Sequence, residues 1–226
     1  MKILCISDTH EQHKWLNQFL FDYEFIAEFE MIICAGDTAN DRNPIFNHHK
    51  QLEFIDWFSE LPIEHKIYVP GNHNTSDKMI DDKVYTDKGI IRLMHNSVTI
   101  KGINIFGSPF TPTFGLNWAY NVNRNKLDSY WQAIPEDTDI LVTHGPPKGI
   151  LDLAGRESSL TEQTGDKALL NHVFRVKPKY HIFGHIHDEE NIFNYGTRMI
   201  NDITFINATT TNLHYTPINE PIKIII

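Results

Sequence analysis

The stretch HKIYVPGNHNTSD, His65 to Asp77, contains in miniature the pattern that organises the whole chain. A short apolar run, HKIYV, stops at Pro70-Gly71 and gives way to an amide, an imidazole and a second amide: Asn72, His73 and Asn74. Alone, this is a turn in which Gly and Asn supply permissive backbone angles and His73 is solvated. The same change from apolar strand to polar turn recurs, however. Lys2 to Ser7 (KILCIS) ends in Asp8-Thr9-His10, and Met31 to Ala35 (MIICA) in Gly36-Asp37. Asp139 to Thr143 (DILVT) ends in His144-Gly-Pro-Pro, and Tyr180 to Phe183 in Gly184-His185-Ile186-His187. Apolar runs this short and continuous belong to strands buried on both faces, as in parallel sheets covered by helices.

Helical patterns separate the first three runs. Trp15, Phe19, Leu20, Tyr23 and Ile26-Ala27 recur at helical spacing, and a second helix is predicted around Lys50 to Leu61, with Leu52, Phe54-Ile55 and Phe58 facing inward. Strands about 30 residues apart suit βαβ units. The middle of the chain differs: Ile90 to Met94, Ser97 to Lys101 and Ile103 to Phe106 are short strands joined by turns, hence antiparallel. Gly107 to Tyr120 (GSPFTPTFGLNWAY) is a long structured loop, and Leu127 to Ala133 and Lys167 to Val176 are helices on either side of a polar loop, Asp152 to Gly165. Asn191 to Phe193, Ile203 to Asn207 and Ile222 to Ile226 return to sheet, the last as an internal strand. No linker, repeat or low-complexity tract interrupts residues 1–226, so one α/β domain with two sheets and flanking helices is expected.

The chain has 226 residues, 41% hydrophobic, enough for a large core, with a formal net charge of −9 that argues against a nucleic-acid binder relying on a broad basic surface. An anionic substrate stays compatible, because bound cations reverse the local sign. Two cysteines, Cys5 and Cys34, each inside an apolar run, are read as buried thiols. MKILCISDTH turns polar too soon for a signal peptide, and no apolar run is long enough to span a membrane, so a soluble cytoplasmic protein is expected.

In an open α/β sheet the carboxyl ends of parallel strands form the rim where ligands bind, so Asp8, His10, Asp37, Asn72, His73, His144, His185 and His187 converge. Asp-x-His and His-x-His place both members of each pair on one side of an extended backbone. Mixed imidazole, carboxylate and amide oxygen donors suit Mn, Fe, Zn, Co or Ni, whereas an all-oxygen set would suit Mg or Ca. There are too many donors for one ion, and a carboxylate such as Asp37 can bridge two. The remaining histidines, among them His13, are surface or packing residues, with His181 the nearest to the pattern.

Taken in order, SDTH, AGDTAN, PGNHN, VTHGPP and FGHIH resemble the signature of the calcineurin-like metallophosphoesterases: Asp-x-His, Gly-Asp, Gly-Asn-His, a lone His and Gly-His-x-His. The resemblance implies a four-layer αββα sandwich of two mixed sheets with flanking helices. It assigns Asp8, His10, Asp37 and His187 to one divalent metal, and Asp37 (shared), Asn72, His144 and His185 to a second. His73 matches the histidine that assists the leaving group and is not a ligand. THGPPKGILD, SPFTPTFGLNWAYN and TFINAT further resemble the small metallophosphodiesterase branch known from animal brain proteins and bacterial relatives. Some members of that branch lose one metal histidine; this chain keeps both His185 and His187.

Two departures stand out. Asn74 occupies a position where the family has Asp or Glu, a carboxylate that would orient His73 and raise its pKa, with Asp77 as a substitute. Asn40 replaces a frequent Asp behind the metal ligands. Trp118 could stack on a substrate ring and Arg156 could hold a phosphate oxygen. The duller reading of Phe110, Phe114, Trp118 and Tyr120 is that they fold the long loop onto the core. The sum is a metal-dependent phosphoesterase, favoured as a phosphodiesterase of a small phosphate-ester substrate with manganese as the first choice of metal. A hydroxide between the ions attacks phosphorus and His73 assists departure. The alternatives are a phosphomonoesterase or nuclease on the same site, and a non-catalytic metal-binding scaffold. The sequence leaves the oligomeric state open.

Overall fold

The computed structural model describes residues 1–21, 23–115, 118–155 and 161–226. In chain order the strands are β1 (Lys2–Ile6), β2 (Met31–Cys34), β3 (His65–Tyr68), β4 (Ile90–Arg92), β5 (Asn96–Ile100), β6 (Ile103–Ser108), β7 (Thr111–Pro112) and β8 (Asn121–Val122). They continue with β9 (Ile140–Thr143), β10 (Leu153–Gly155), β11 (Thr161–Gln163), β12 (Tyr180–Phe183), β13 (Gly196–Ile200), β14 (Ile203–Asn207) and β15 (Ile222–Ile225). The helices are α1 (Asn17–Leu20), α2 (Tyr23–Ile26), α3 (Pro44–Glu60), α4 (Asp82–Thr86), α5 (Arg124–Trp131) and α6 (Lys167–Val176).

Among the described residues two large sheets form, in the orders β15-β1-β2-β3-β4 and β13-β14-β12-β9-β6-β5. The pairs β1–β2, β2–β3, β3–β4, β6–β9, β9–β12 and β12–β14 are parallel, and β15, β13 and β5 add antiparallel edges. Period-two alternation sorts the side chains. Ile3, Cys5, Ile33 and Ile67 of the first sheet meet Ile105, Ile140, Val142, Ile182 and Ile206 of the second. Leu4, Ile6, Ile32, Cys34 and Tyr68 point the other way, into Phe54 and Phe58 of α3. Phe106, Leu141, Phe183 and Phe205 pack outward on Leu127 and Trp131 of α5 and Leu169 and Val173 of α6. Helix, sheet, sheet, helix: this is the expected αββα sandwich, and burial on both faces explains the continuous apolar runs.

Several elements differ from the expectation. The helix around Lys50–Leu61 starts earlier, at Pro44, where Asn43 caps it by accepting from Ile45 N at 3.0 Å. Its first turns lack an apolar stripe because buried Asn47 is a tether: its Nδ2 donates to the backbone oxygens of Asp41 and His73, each at 2.7 Å. The first helical pattern is broken into a 3-10 turn (His13–Leu16), α1 and α2, which still bury Leu16, Leu20 and Ile26 on one side. Asn191–Phe193 is a turn rather than a strand, closed by reciprocal Glu189–Ile192 backbone bonds of 3.0 and 3.1 Å, with Phe193 79% exposed. The strand lies instead at Gly196–Ile200, joined to β14 by Asn201-Asp202, both at positive φ (51° and 63°). The C-terminal PIKIII run is an edge strand, paired only with β1 within its sheet. Cys5 and Cys34 are buried free thiols, as expected. Among the described residues, no helix is long and apolar enough to cross a membrane.

Candidate metal centre

Strands β1, β2, β3, β9 and β12 all run toward one rim, and the polar residues that follow each come together there. Several leave their strands in left-handed backbone: φ is 52° at Asp8, 39° at His10, 50° at Asp37 and 70° at His185. Asp and His tolerate that region better than most side chains, at a cost of about 1 kcal/mol or more each, which the surrounding bonds must offset. They do: Asp8 N donates to Gly36 O at 2.8 Å and His10 N to Asp37 O at 3.0 Å. The rim is tight. A methyl group on Gly184 would fall on the Asp8 carboxylate and the Ser7 hydroxyl, and one on Gly71 on the Asp37 carboxylate.

Two clusters result. In the first, Asp8, His10 and His187 converge. His10 Nε2 and His187 Nε2 lie 3.3 Å apart, and Asp8 Oδ1 is 3.9 Å from the former and 3.6 Å from the latter. His187 Nδ1 donates to Thr211 O at 2.9 Å, which leaves the Nε2 lone pair aimed inward. In the second, Asp37, His144 and His185 converge, and Asn72 joins them. His144 Nδ1 donates to Ala35 O at 2.8 Å, while its Nε2 faces Asp37 Oδ2 at 3.2 Å and Asn72 Oδ1 at 2.9 Å. Electron-pair donors gathered this closely, with two ring tautomers set by backbone carbonyls, fit cations. Buried His10 Nδ1 has no hydrogen-bond partner among the described residues, while its Nε2 faces His187.

Electrostatics agree. Burial lowers the pKa of His10, His185 and His73, opposed in each by the Asp37 charge. Burial would raise the Asp37 carboxyl, but the charge and hydrogen bond of His144 dominate and hold it well below the usual range. His144 is opposed by burial yet raised to about 9 by the same partner.

A further layer fixes the donors. The Asp8 carboxylate accepts from His185 N at 2.9 Å and Thr209 Oγ1 at 3.1 Å, and Thr211 Oγ1 donates to Asp8 O at 2.8 Å. These threonines lie within or just beyond the TFINAT segment.

His73 belongs to neither cluster. Its N–H donates to Asp37 Oδ1 at 2.7 Å, and its ring stands edge-on to His10 with centroids 4.7 Å apart. The role expected of residue 74 needs correction. Asn74 is buried; its Oδ1 accepts from Asp37 N at 3.0 Å and Gly71 N at 2.8 Å, and its Nδ2 donates to Thr38 Oγ1 at 2.9 Å. It ties the β2 and β3 exits together and does not orient the His73 ring. Asp77 does not substitute either, because its carboxylate is taken by Tyr85, Tyr120 and Arg92 at 2.6, 2.7 and 3.0 Å. Half-buried Asn40 is held through its backbone, its N–H donating to Glu11 Oε1 at 3.0 Å.

The aromatic loop divides. Tyr120 and Phe110 fold it down, onto Asp77 and onto His95 and Tyr130. Trp118 and Phe114 reach the centre, with centroids 4.3 Å from His73 and 5.0 Å from His185. Arg156 lies outside the described residues. His181 is buried away from the site, its Nε2 2.8 Å from Thr143 Oγ1. Sequence reasoning missed Tyr215, whose ring centroid is 4.1 Å from that of His10, and Arg42, whose Cζ lies 4.4 Å over the Trp118 ring. Both sit on loops without spacing that would single them out.

Comparison with known proteins agrees with this geometry. The calcineurin-like phosphoesterase family matches residues 1–189. A UPF0046 protein of Caenorhabditis elegans is 32% identical, over 94% of this chain and 70% of its own length. Metallophosphoesterase domain-containing protein 1 of Homo sapiens is 31% identical, over 99% of this chain and 70% of its own. In fold, the chain is similar to the phosphopantetheinyl hydrolase of Mycobacterium tuberculosis, with a TM-score of 0.56 at 14% identity over 95% and 90% of the two chains. With the rim residues in the family's order and the fold in its layers, the chain belongs to the calcineurin-like phosphoesterases, metal-dependent hydrolases of phosphate esters.

Proposed function

We propose that this chain is a phosphodiesterase that works with two divalent transition-metal ions, manganese favoured. Asp8, His10 and His187 would hold one ion and Asn72, His144 and His185 the other, with the Asp37 carboxylate between them. The observation that carries this reading is the pair of donor clusters on one rim with His73 beside both and belonging to neither. When bound, such ions lower the pKa of water to near neutrality and neutralise charge on the phosphoryl oxygens. The chain's own residues supply the rest. Thr209, Thr211 and the Ala35 carbonyl fix the donors before substrate arrives, so little reorganisation remains for the reaction itself. His73 is anchored through its N–H on Asp37 and held against the Trp118 ring, where it donates a hydrogen bond or proton to the departing oxygen. A diester is favoured by the resemblance to the small phosphodiesterase branch, and by the ring surfaces of Phe114, Trp118 and Tyr215, beside which a second substituent would lie.

Hydrolysis of an aryl phosphodiester beside its monoester, with Mn²⁺ or with chelator, tests this directly. Manganese-dependent diester cleavage that falls at least about 100-fold in His73→Ala is expected, the size of a general-acid contribution. Faster cleavage of the monoester would overturn the diester preference. Turnover indifferent to chelator or to His73 would overturn the mechanism.

A further inference from the structure

Two polar side chains beside the centre, Arg42 and Tyr215, make ring contacts but no hydrogen bond or ion pair among the described residues. Arg42, on the loop between β2 and α3, is exposed, lies over the Trp118 ring, and makes no ion pair among the described residues in a chain of net charge −9. Tyr215, on the loop between β14 and β15, is half-buried with its ring tilted 31° against His10 and its centroid 5.8 Å from that of His73. Its hydroxyl makes no hydrogen bond among the described residues. The backbone of Tyr215 is left-handed, with φ of 57°, an uncommon state for a bulky residue and one that accumulates at ligand-binding sites.

The two groups flank His73, Tyr215 through its own ring and Arg42 through the Trp118 ring that packs on the imidazole. The Tyr215 ring lies against His10 and stands edge-on to His73, with centroids 4.1 and 5.8 Å away. Trp118 joins them to the chemistry, because the ring under Arg42 is the ring that packs on His73. A guanidinium laid on an indole keeps its N–H donors free at the edge and loses little freedom on binding. A free guanidinium fork and a free phenol are donors suited to an anion. The ions that the two clusters would hold would already neutralise the reacting phosphoryl group, so a cation set one ring further out has a second anion to serve.

We propose that Arg42 and Tyr215 form a subsite for a second anionic group, a phosphate or carboxylate carried on the leaving-group side of the ester. The preferred substrates are then phosphodiesters whose departing alcohol is itself negatively charged. This rests on the phosphodiesterase reading, in which His73 marks the leaving-group side.

The test uses three dinucleotides that differ in one phosphate: ApA, pApA and ApAp, which place the extra group at either end. With Mn²⁺, wild-type kcat/KM for one of the phosphorylated pair is expected to exceed that for ApA roughly tenfold, one charge-assisted contact's worth. Arg42→Ala should bring the ratio to about one, Arg42→Lys should keep part of it, and Tyr215→Phe should reduce it a fewfold. Equal rates for all three in the wild type, or an advantage that survives Arg42→Ala, would overturn the subsite. Calorimetric titration reads the same ratio without turnover, on wild-type protein if it cleaves none of the three and on His73→Asn if it does. Absent cleavage with a tenfold affinity ratio removed by Arg42→Ala leaves the subsite standing and sinks the phosphodiesterase reading. An affinity ratio of one removes the subsite, whatever the turnover.

Discussion

His13 is a histidine in the wrong solvent. It is 3% exposed, packed against Phe54 and Trp57, and neither ring nitrogen has a hydrogen-bond partner among the described residues. Burial, aided by Lys14 and Lys50 and opposed by Glu53, lowers its pKa from 6.5 to about 4. Between those values the unfolded chain binds a proton that the folded chain refuses. Stability therefore rises with pH across that window and falls as pH drops from 6.5 toward 4, by roughly 3 kcal/mol in all. His13→Leu should remove this dependence and relieve two unsatisfied nitrogens. Urea unfolding at pH 5 and pH 7.5 is the measurement, and the gap between the two midpoints should narrow in the variant. An unchanged gap would show that His13 is not its source. The sequence places His13 among surface or packing residues, because it breaks the strand-end pattern, and the structure makes it the latter. What it does not show is that the ring goes unpaired, which depends on helices meeting from distant segments.

At the scale of elements, Asp77 joins the loop over the site to the rest of the molecule. Its carboxylate receives Tyr85 from α4, Arg92 from β4 and Tyr120 from the loop that carries Trp118. Asp77→Asn keeps the shape and removes the charge facing Arg92, a change that costs about 3 kcal/mol when a buried pair is broken. Thermal unfolding should show that loss, and phosphoesterase activity measured well below the new midpoint should still fall, because Trp118 loses its anchor. Full activity with lowered stability would confine Asp77 to folding. This network was not legible in the sequence, where Asp77 reads as a possible partner for His73. The strands that carry the donors were legible, since burial on both faces writes them as unbroken apolar runs. Strand β13 was not recognised, although Asn201-Asp202 is the turn signal that could have revealed it. Helix α3 began two turns early because its first buried residues are polar tethers.

Across the whole molecule, the donors come from both sheets. Asp8, His10, Asp37 and Asn72 leave the first, and His144, His185 and His187 leave the second. Each cluster therefore closes only when the two sheets are packed. Ions that bind the folded form alone stabilise it by about 2.7 kcal/mol at a hundredfold excess over their dissociation constant. Removing metal with chelator should lower the unfolding temperature of the wild type, and should move that of Asp37→Ala much less. Equal shifts would place the stabilising ion elsewhere.

The boundary between the sheets falls at the turn from β4 to β5, where the chain passes once from one sheet to the other before β15 returns. Cut there, the protein would become two pieces, each owning part of every donor set, that find each other through a shared ion. Divalent metal would then set the strength of an association between chains, and the catalytic centre would serve as its clasp.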